Sequence, residues 1–319
     1  MGQKLVEINR MLAQAEAKGR YCYGRDDGQR RALARKRESG LLVSPYKNIY
    51  ARVEYVSTLD PIEQNRHLIR TLARKHPHWD FAGPSSAVML RLEHGWSMHH
   101  DKSVFIATKD SKSAVSDRHL HRLYIANVHR WKVENVSVTD PSRTLVDCAL
   151  LFPFSQALAL FDSAARQQLL ETSAIEKICS TMHKNTLAVS KLLHYANGAS
   201  ENGGESLCRA LIIEAGFATP ELQHDFTDPQ DGSHYRADFL WHTAGGKVIA
   251  LEYDGLQKYI NPEMTHGKDT WQVVNEERRR ESALKRAGVT EIVRISSQEV
   301  NRPNLLSHRL VCAGVPRIR

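Results

Sequence analysis

Residues 235–259 read YRADFLWHTAGGKVIALEYDGLQKY, and the reading of the whole chain turns on them. Two short apolar runs, Tyr235–Trp241 and Lys247–Tyr253, flank Thr243-Ala244-Gly245-Gly246. Aromatic and β-branched residues on both sides of a Gly-Gly turn predict a β-hairpin. Asp238 lies in the first run; Glu252 closes the second, and Asp254 follows two residues on. Side chains alternate along a strand, so Glu252 and Asp254 fall on one face. Pairing His242 with Lys247 would set Asp238 opposite Leu251 and diagonal to Glu252, within reach across the ladder.

Carboxylates gathered on an apolar hairpin raise one another's pKa, and burial raises them further. A hard divalent cation removes that penalty. Mg2+ takes one or two carboxylates and keeps waters for a substrate phosphate. Such a site polarises a phosphoryl oxygen and lowers the pKa of bound water from about 15.7 to about 7 in the best cases. The competing reading is a plain hairpin whose acids are solvated at the strand ends.

Three motifs extend the pattern: Gly203-Gly204-Glu205-Ser206, Arg236-Ala237-Asp238-Phe239 and Glu252-Tyr253-Asp254-Gly255. Their order resembles the PD-(D/E)XK nuclease superfamily, and within it the small domains related to very-short-patch-repair endonucleases. The resemblance covers about Gly203 to the C-terminus. It implies a restriction-endonuclease-like α/β core and a metal-dependent endonuclease that hydrolyses DNA phosphodiesters, in phage defence or DNA repair. Asp238, Glu252 and Asp254 would hold Mg2+ or Mn2+, with Glu205 behind the metal. Asp254 stands where the superfamily has its lysine. Lys258, one turn later, or Gln257 would then position the attacking water. The alternative for Glu205 is a carboxylate that merely favours the helix dipole from the first turn.

The N-terminal residues 1–56 read as a small basic unit. Leu5, Ile8, Leu12 and Ala15 recur at helical spacing, and a second helix is expected from Gln29 to Ser39 with Gly40 closing it. Leu41–Val43, a turn, and Ile49–Ala51 follow as a hairpin, the order of a winged helix-turn-helix. Arg30, Arg31, Arg35, Lys36 and Arg37 crowd the second helix, as a helix that grips double-stranded DNA requires. A solvated charged face is the plainer alternative. Helix, Gly40-Leu41-Leu42-Val43, then Ile49-Tyr50-Ala51 looks like the winged helix of AbiEi-type antitoxins, which repress their own operons. That resemblance implies a cognate toxin as partner.

Residues 57–197 read as a mixed α/β domain. Asp60-Pro61 and Asp140-Pro141 each offer an N-cap followed by Pro at the first helical position. Val104–Ala107, Leu123–Val128 and Val133–Val138 are expected strands. Thr139-Asp140-Pro141-Ser142-Arg143-Thr144-Leu145-Val146-Asp147 resembles the C-terminal part of AbiEi-like proteins; its Arg143 and Asp147 form an i,i+4 pair, read as structural. His94, His99, His100, His119 and His121 form no metal-ligand array and are expected at a polar surface or a phosphate contact.

Residues 197–204, Asn-Gly-Ala-Ser-Glu-Asn-Gly-Gly, read as the linker to a third domain at 203–319. There a helix Glu205–Ala215, the hairpin, a charged helix Asp269–Ala287 and a strand Glu291–Ile295 are expected, with Arg280 able to reach a phosphate. The fold class is thus α/β, or α+β. The chain of 319 residues has a formal charge of +8, which suits a polyanionic partner. No run of 18 apolar residues is present, and five scattered cysteines form no CxxC pair, so a cytoplasmic protein without a membrane span or disulfide framework is expected. A non-catalytic antitoxin or transcriptional regulator with a degenerate nuclease domain is the second functional reading.

Overall fold

The computed structural model describes residues 2–99, 101–110, 119–254 and 270–318. The fold is mixed α/β. It divides into two compact units, Met1–Leu92 with Trp96–Leu151 and Leu170–Val189, and Glu93–Gly95 with Phe152–Leu169 and Ser190–Arg319.

The N-terminal unit opens with α1 (Gly2–Glu16) and α2 (Asp27–Glu38), then a hairpin of β1 (Leu42–Tyr46) and β2 (Ile49–Arg52). Asp26 caps α2 by accepting from Gln29 N at 2.8 Å, and Gly40 follows the helix at φ 77°. Ile8, Leu12, Leu33 and Leu42 bury their side chains together, with Cys22 bridging Tyr50 of β2. After α3 (Val53–Ser57) comes α4 (Pro61–Lys75), where the Asp60 carboxylate accepts from Glu63 N at 2.8 Å. Helix α5 (Gly83–Met89) is wholly buried.

Strands β3 (Val104–Thr108) and β4 (Leu120–Tyr124) pair in parallel. The single strand expected at Val133–Val138 is instead a tight hairpin of β5 (Arg130–Val133) and β6 (Val136–Thr139). Glu134 and Asn135 form its two-residue turn at φ 51° and 64°, the positive pair that a type I′ turn needs. Phe81 bridges both strand pairs through Ile106 and Val138. The unit is completed by α6 (Pro141–Leu151) and, after α7 (Phe154–Arg166) of the other unit, α8 (Thr172–Ser180). Asp140 caps α6 through Arg143 N at 3.0 Å, and Arg143 Nε donates to Asp147 at 3.0 Å.

Beyond α9 (Leu187–Tyr195), the expected linker at 197–204 is tied down within the C-terminal unit. Asn197 N donates to Asp162 of α7 at 2.9 Å, and Ser200 is buried with its hydroxyl 3.0 Å from that of Ser206. The reason lies in α10 (Gly203–Glu214), whose Arg209 Nη2 donates to both Asp162 oxygens at 2.6 and 2.7 Å and pins α7 to this unit.

The sheet runs β10-β9-β8-β7, built from β7 (Glu221–Thr227), β8 (His234–His242), β9 (Val248–Asp254) and β10 (Glu291–Ser296). Only β10 and β9 are parallel. Helix α11 (Thr270–Arg286) precedes β10; α12 (Ser297–Val300) and α13 (Pro303–Ala313) follow it. Phe239, Trp241, Ile249 and Leu251 pack with Cys208, Ile212, Leu306 and Leu310 on one side. Leu240 and Ala250 pack with Leu284 on the other.

The hairpin forms with its register one residue from expectation: His242 pairs with Val248, not Lys247. Lys247 stays in the turn, because Thr243 N donates to its carbonyl at 2.9 Å and Thr243 Oγ1 accepts from its N–H at 3.0 Å. The last paired residues are Phe239 and Leu251. One more step of that register places Asp238 directly across from Glu252.

Candidate active site

The cluster begins at the N-terminus of α10. Asn202 Oδ1 accepts from Gly204 N at 2.9 Å and Glu205 N at 3.0 Å. Its amide nitrogen donates to Glu205 Oε1 at 2.6 Å, and Glu201 N donates to Oε2 at 2.8 Å. The Glu205 side chain is thereby folded back on its own helix start and is 5% exposed. Burial pushes its pKa from 4.5 up to about 7, with the nearby Asp238 and Glu201 carboxylates adding to the rise. Gly204 matters for a close approach. A Cβ there would lie 2.5 Å from the Tyr253 hydroxyl and 2.6 Å from its ring. Burial beside Cys208 and Glu205 lifts the Tyr253 phenol to about 12.

Gln223 of β7 stands between the two acids. Its Nε2 donates to Glu205 Oε2 at 3.0 Å and approaches Asp238 Oδ1 at 3.5 Å. Its backbone holds φ 52°, left-handed for a non-glycine residue inside a strand. Its amide oxygen is buried with no hydrogen-bond partner. Asp238 Oδ2 accepts from Tyr253 N at 2.8 Å. The carboxylate thus serves the β9 backbone where strand pairing has stopped. Burial raises the Asp238 pKa, with Glu252 adding and the Tyr253 N–H and Arg280 opposing.

Glu252, expected at the metal, is held elsewhere. Arg280 Nε donates to its Oε1 at 2.8 Å, and Arg294 of β10 lies 3.6 Å from its Oε2. Arg280, expected to reach a phosphate, is committed to this pair and to the Arg236 carbonyl at 2.6 Å. Arg236 pairs with Glu201. Asp254 ends β9 in register with Ser296. Gln257 and Lys258 lie outside the described residues. The structure therefore brings Glu205 and Asp238 together through Gln223, and sets Glu252 beside them on two arginines. Gln223 and Arg294 escaped the sequence reading. The one signal for Gln223 was a lone amide in a short strand preceding the acidic hairpin.

Among the described residues, no three His, Cys, Asp or Glu side chains converge as a metal-binding group. The buried Glu205 and half-buried Asp238 carboxylates and the partnerless Gln223 amide oxygen are nevertheless hard oxygen donors, the kind Mg2+ and Mn2+ take when waters and phosphate complete the shell.

On α2, Arg30, Arg31, Arg35 and Arg37 are exposed. Arg30 is drawn to Asp27 at 3.0 Å, and Lys36 donates to Asn9 Oδ1 at 3.0 Å. Arg31, Arg35 and Arg37 carry no ion pair among the described residues. His94 and His99, expected at the surface, are buried; His99 Nδ1 accepts from Asn65 Nδ2 at 3.0 Å. His100 lies outside the described residues. No helix among the described residues is long and apolar enough to cross a membrane.

No family model matches the chain. It is similar to two proteins of Mycobacterium tuberculosis, Uncharacterized protein MT2308 and Uncharacterized protein Rv2248. Each is 30% identical over 148 residues, which is 46% of this chain and 53% of the relative. The chain thus spans about half the length of the curated relatives it matches.

Proposed function

We propose that the C-terminal unit is a divalent-cation-dependent endonuclease acting on double-stranded DNA, gripped in part through the exposed arginines of α2. The observation that carries this reading is the Glu205–Gln223–Asp238 cluster. A buried carboxylate, Glu205, and a half-buried one, Asp238, face each other across one amide, with only neutral donors between them. The repulsion in such a pair is relieved by a proton on Glu205 or by a bound cation. Bound there, Mg2+ or Mn2+ would polarise a phosphoryl oxygen and acidify a water. Glu205 and Asp238 would hold the cation, and Gln223 would orient both acids. Glu205 gives up its proton near pH 7, so cation uptake rises through that range. Arg280 and Arg294 hold Glu252 half-buried beside the cluster. A phosphodiester competes for the same guanidinium groups and would release Glu252 toward the metal.

The second reading is a non-catalytic, AbiEi-like antitoxin or transcriptional regulator, with a toxin as partner. Its support is specific: Asp238 already satisfies the Tyr253 N–H, and Glu252 already satisfies two arginines. Hairpin acids with structural duties need no metal.

Nicking of supercoiled plasmid with Mg2+ or Mn2+ separates the two. On the nuclease reading the intact chain cuts, EDTA stops it, and Asp238→Asn lowers the rate by roughly a hundredfold or more. Absence of cutting by the intact chain, with salt-sensitive binding of duplex DNA, would establish the regulator instead.

A further inference from the structure

One open groove of the N-terminal unit is lined by bases from three stretches of the chain. Arg10 belongs to α1 and Lys18 follows its end; Arg20 and Arg25 lie between α1 and α2; Arg74 is in the last turn of α4. Among the described residues one acid lines the groove, Glu7, and it accepts from Gln29 Nε2 at 2.8 Å. None of the five bases is ion-paired among the described residues. Acids close to them in the chain are held by other bases: Glu16 by Arg52 at 2.6 Å and Asp27 by Arg30 at 3.0 Å. Glu134 lines an adjoining groove with Lys18, Arg20 and Arg74, and is held by Arg70 and Arg91. Arg20 is half-buried, and burial and the Arg74 charge both draw its pKa down. Like charges gathered partly out of water repel one another, and a bound anion relieves that repulsion.

The spacing of the bases selects the kind of anion. They are strung out rather than gathered at one point: Arg10 stands about 9 Å of helical rise before the end of α1, and Lys18 lies beyond that end. A lone phosphate meets one or two such bases. A nucleic-acid strand carries a charge about every 3.4 Å of its axis and meets them in turn. Gln14 and Tyr23 line the same groove, and both are side-chain types that hydrogen-bond phosphate and sugar oxygens. The groove is also a different face from that of the α2 arginines. Gln29, in the first turn of α2, lines it, and Leu33 one turn on is buried. Arg31 and Arg35 lie about 200° and 240° round the helix from Gln29, and both are exposed.

We infer that this groove binds the phosphate backbone of a nucleic acid, on a face separate from the arginines of α2. The inference concerns the N-terminal unit alone and does not rest on the nuclease reading. Binding here is independent of sequence, because phosphate contacts carry no base information.

The test is fluorescence anisotropy of the full chain with a labelled duplex of about 30 base pairs, as DNA and as RNA of the same sequence, over a range of salt. The tighter of the two identifies the source of the backbone. Arg20→Gln with Arg74→Gln should lower that affinity roughly tenfold or more at about 0.1 M salt, and reduce the slope of log affinity against log salt by about 2, one for each lost contact. The loss should be the same on an unrelated sequence, and should persist when Arg31→Gln and Arg35→Gln are already present. The unliganded variant should melt no lower than the parent, since the change relieves repulsion between the two guanidinium groups. Should it fail to fold, Arg10→Gln with Lys18→Gln, both at exposed positions, decides instead. No binding of either duplex by the parent, an unchanged slope, or a loss seen only while Arg31 and Arg35 are intact would overturn the inference. An unchanged slope together with lost binding of inorganic tripolyphosphate would assign the groove to a small anion instead.

Discussion

Helix α10 carries two buried charges one turn apart, and they are treated in opposite ways. Arg209 is 2% exposed and its Nη2 donates to both oxygens of Asp162, itself fully buried, while its Nη1 donates to the Tyr195 carbonyl at 2.8 Å. Burial pushes the Asp162 carboxyl upward and the guanidinium opposes it. Glu205, four residues earlier, receives neutral donors only and faces a second acid. A Glu and an Arg at i,i+4 ordinarily attract each other on a helix. Here the arginine turns to α7 and the glutamate turns to the sheet. The difference separates scaffold from site: the compensated charge fixes where α7 packs, and the uncompensated one is left to recruit a cation.

The largest effect should come from breaking the compensated member. Arg209→Met strands Asp162 in a dry interior, and removing one partner of a buried pair costs about 3–5 kcal/mol. Urea unfolding should show that loss as a lower midpoint. Adding Asp162→Leu to Arg209→Met should recover most of it, since an apolar pair of similar volume leaves no stranded charge. A double variant as unstable as the single would mean that the pair is not what locates α7.

The uncompensated member should respond to pH instead. Glu205 has its ordinary value of 4.5 in the unfolded chain and about 7 in the fold. The folded state therefore holds this proton more tightly. Its contribution is fully present below pH 4.5 and is lost as pH rises through 7. A gap of this size corresponds to roughly 3 kcal/mol. Unfolding at pH 5 and pH 8 should thus differ more for the parent than for Glu205→Gln, which has nothing to ionise. Millimolar Mg2+ at pH 8 should restore part of the parent's loss and none of the variant's. Equal pH dependence in both proteins would place the raised pKa elsewhere.

The same contrast explains what the sequence revealed. Caps are local, so Asp60-Pro61 and Asp140-Pro141 announced α4 and α6, and the structure places both carboxylates on the expected backbone N–H groups. The hairpin was equally legible. Its register was not, because the Thr243–Lys247 hydrogen bonds that keep Lys247 in the turn are invisible to hydrophobic alternation. Glu205 and Asp238 were readable as acids in a motif. Gln223 was not, since its role depends on a left-handed backbone inside β7. The partners of Glu252 depend on α11 and on the parallel pairing of β10 with β9, contacts that span 28 residues or more in sequence. The boundary expected at 197–204 failed for a similar reason: the ion pair that overrides it joins residues 47 apart.

Between the two extremes stands Glu252, and it supplies the finest test. Arg280→Met keeps the apolar stem and removes the charge. Glu252 retains Arg294 at 3.6 Å, and the Arg280 side chain is already 37% exposed, so the loss should be about 1 kcal/mol or less. Removing Arg280 also removes a charge that holds the Asp238 pKa down, so the Asp238 carboxyl should rise further. The informative readout is the salt dependence of duplex binding. If Arg280 leaves Glu252 for a DNA phosphate, the slope of log affinity against log salt should fall by about 1 in the variant. If Arg280 stays on Glu252 in the complex, the slope is unchanged, and Glu252 belongs with Asp162 among the compensated acids of the scaffold.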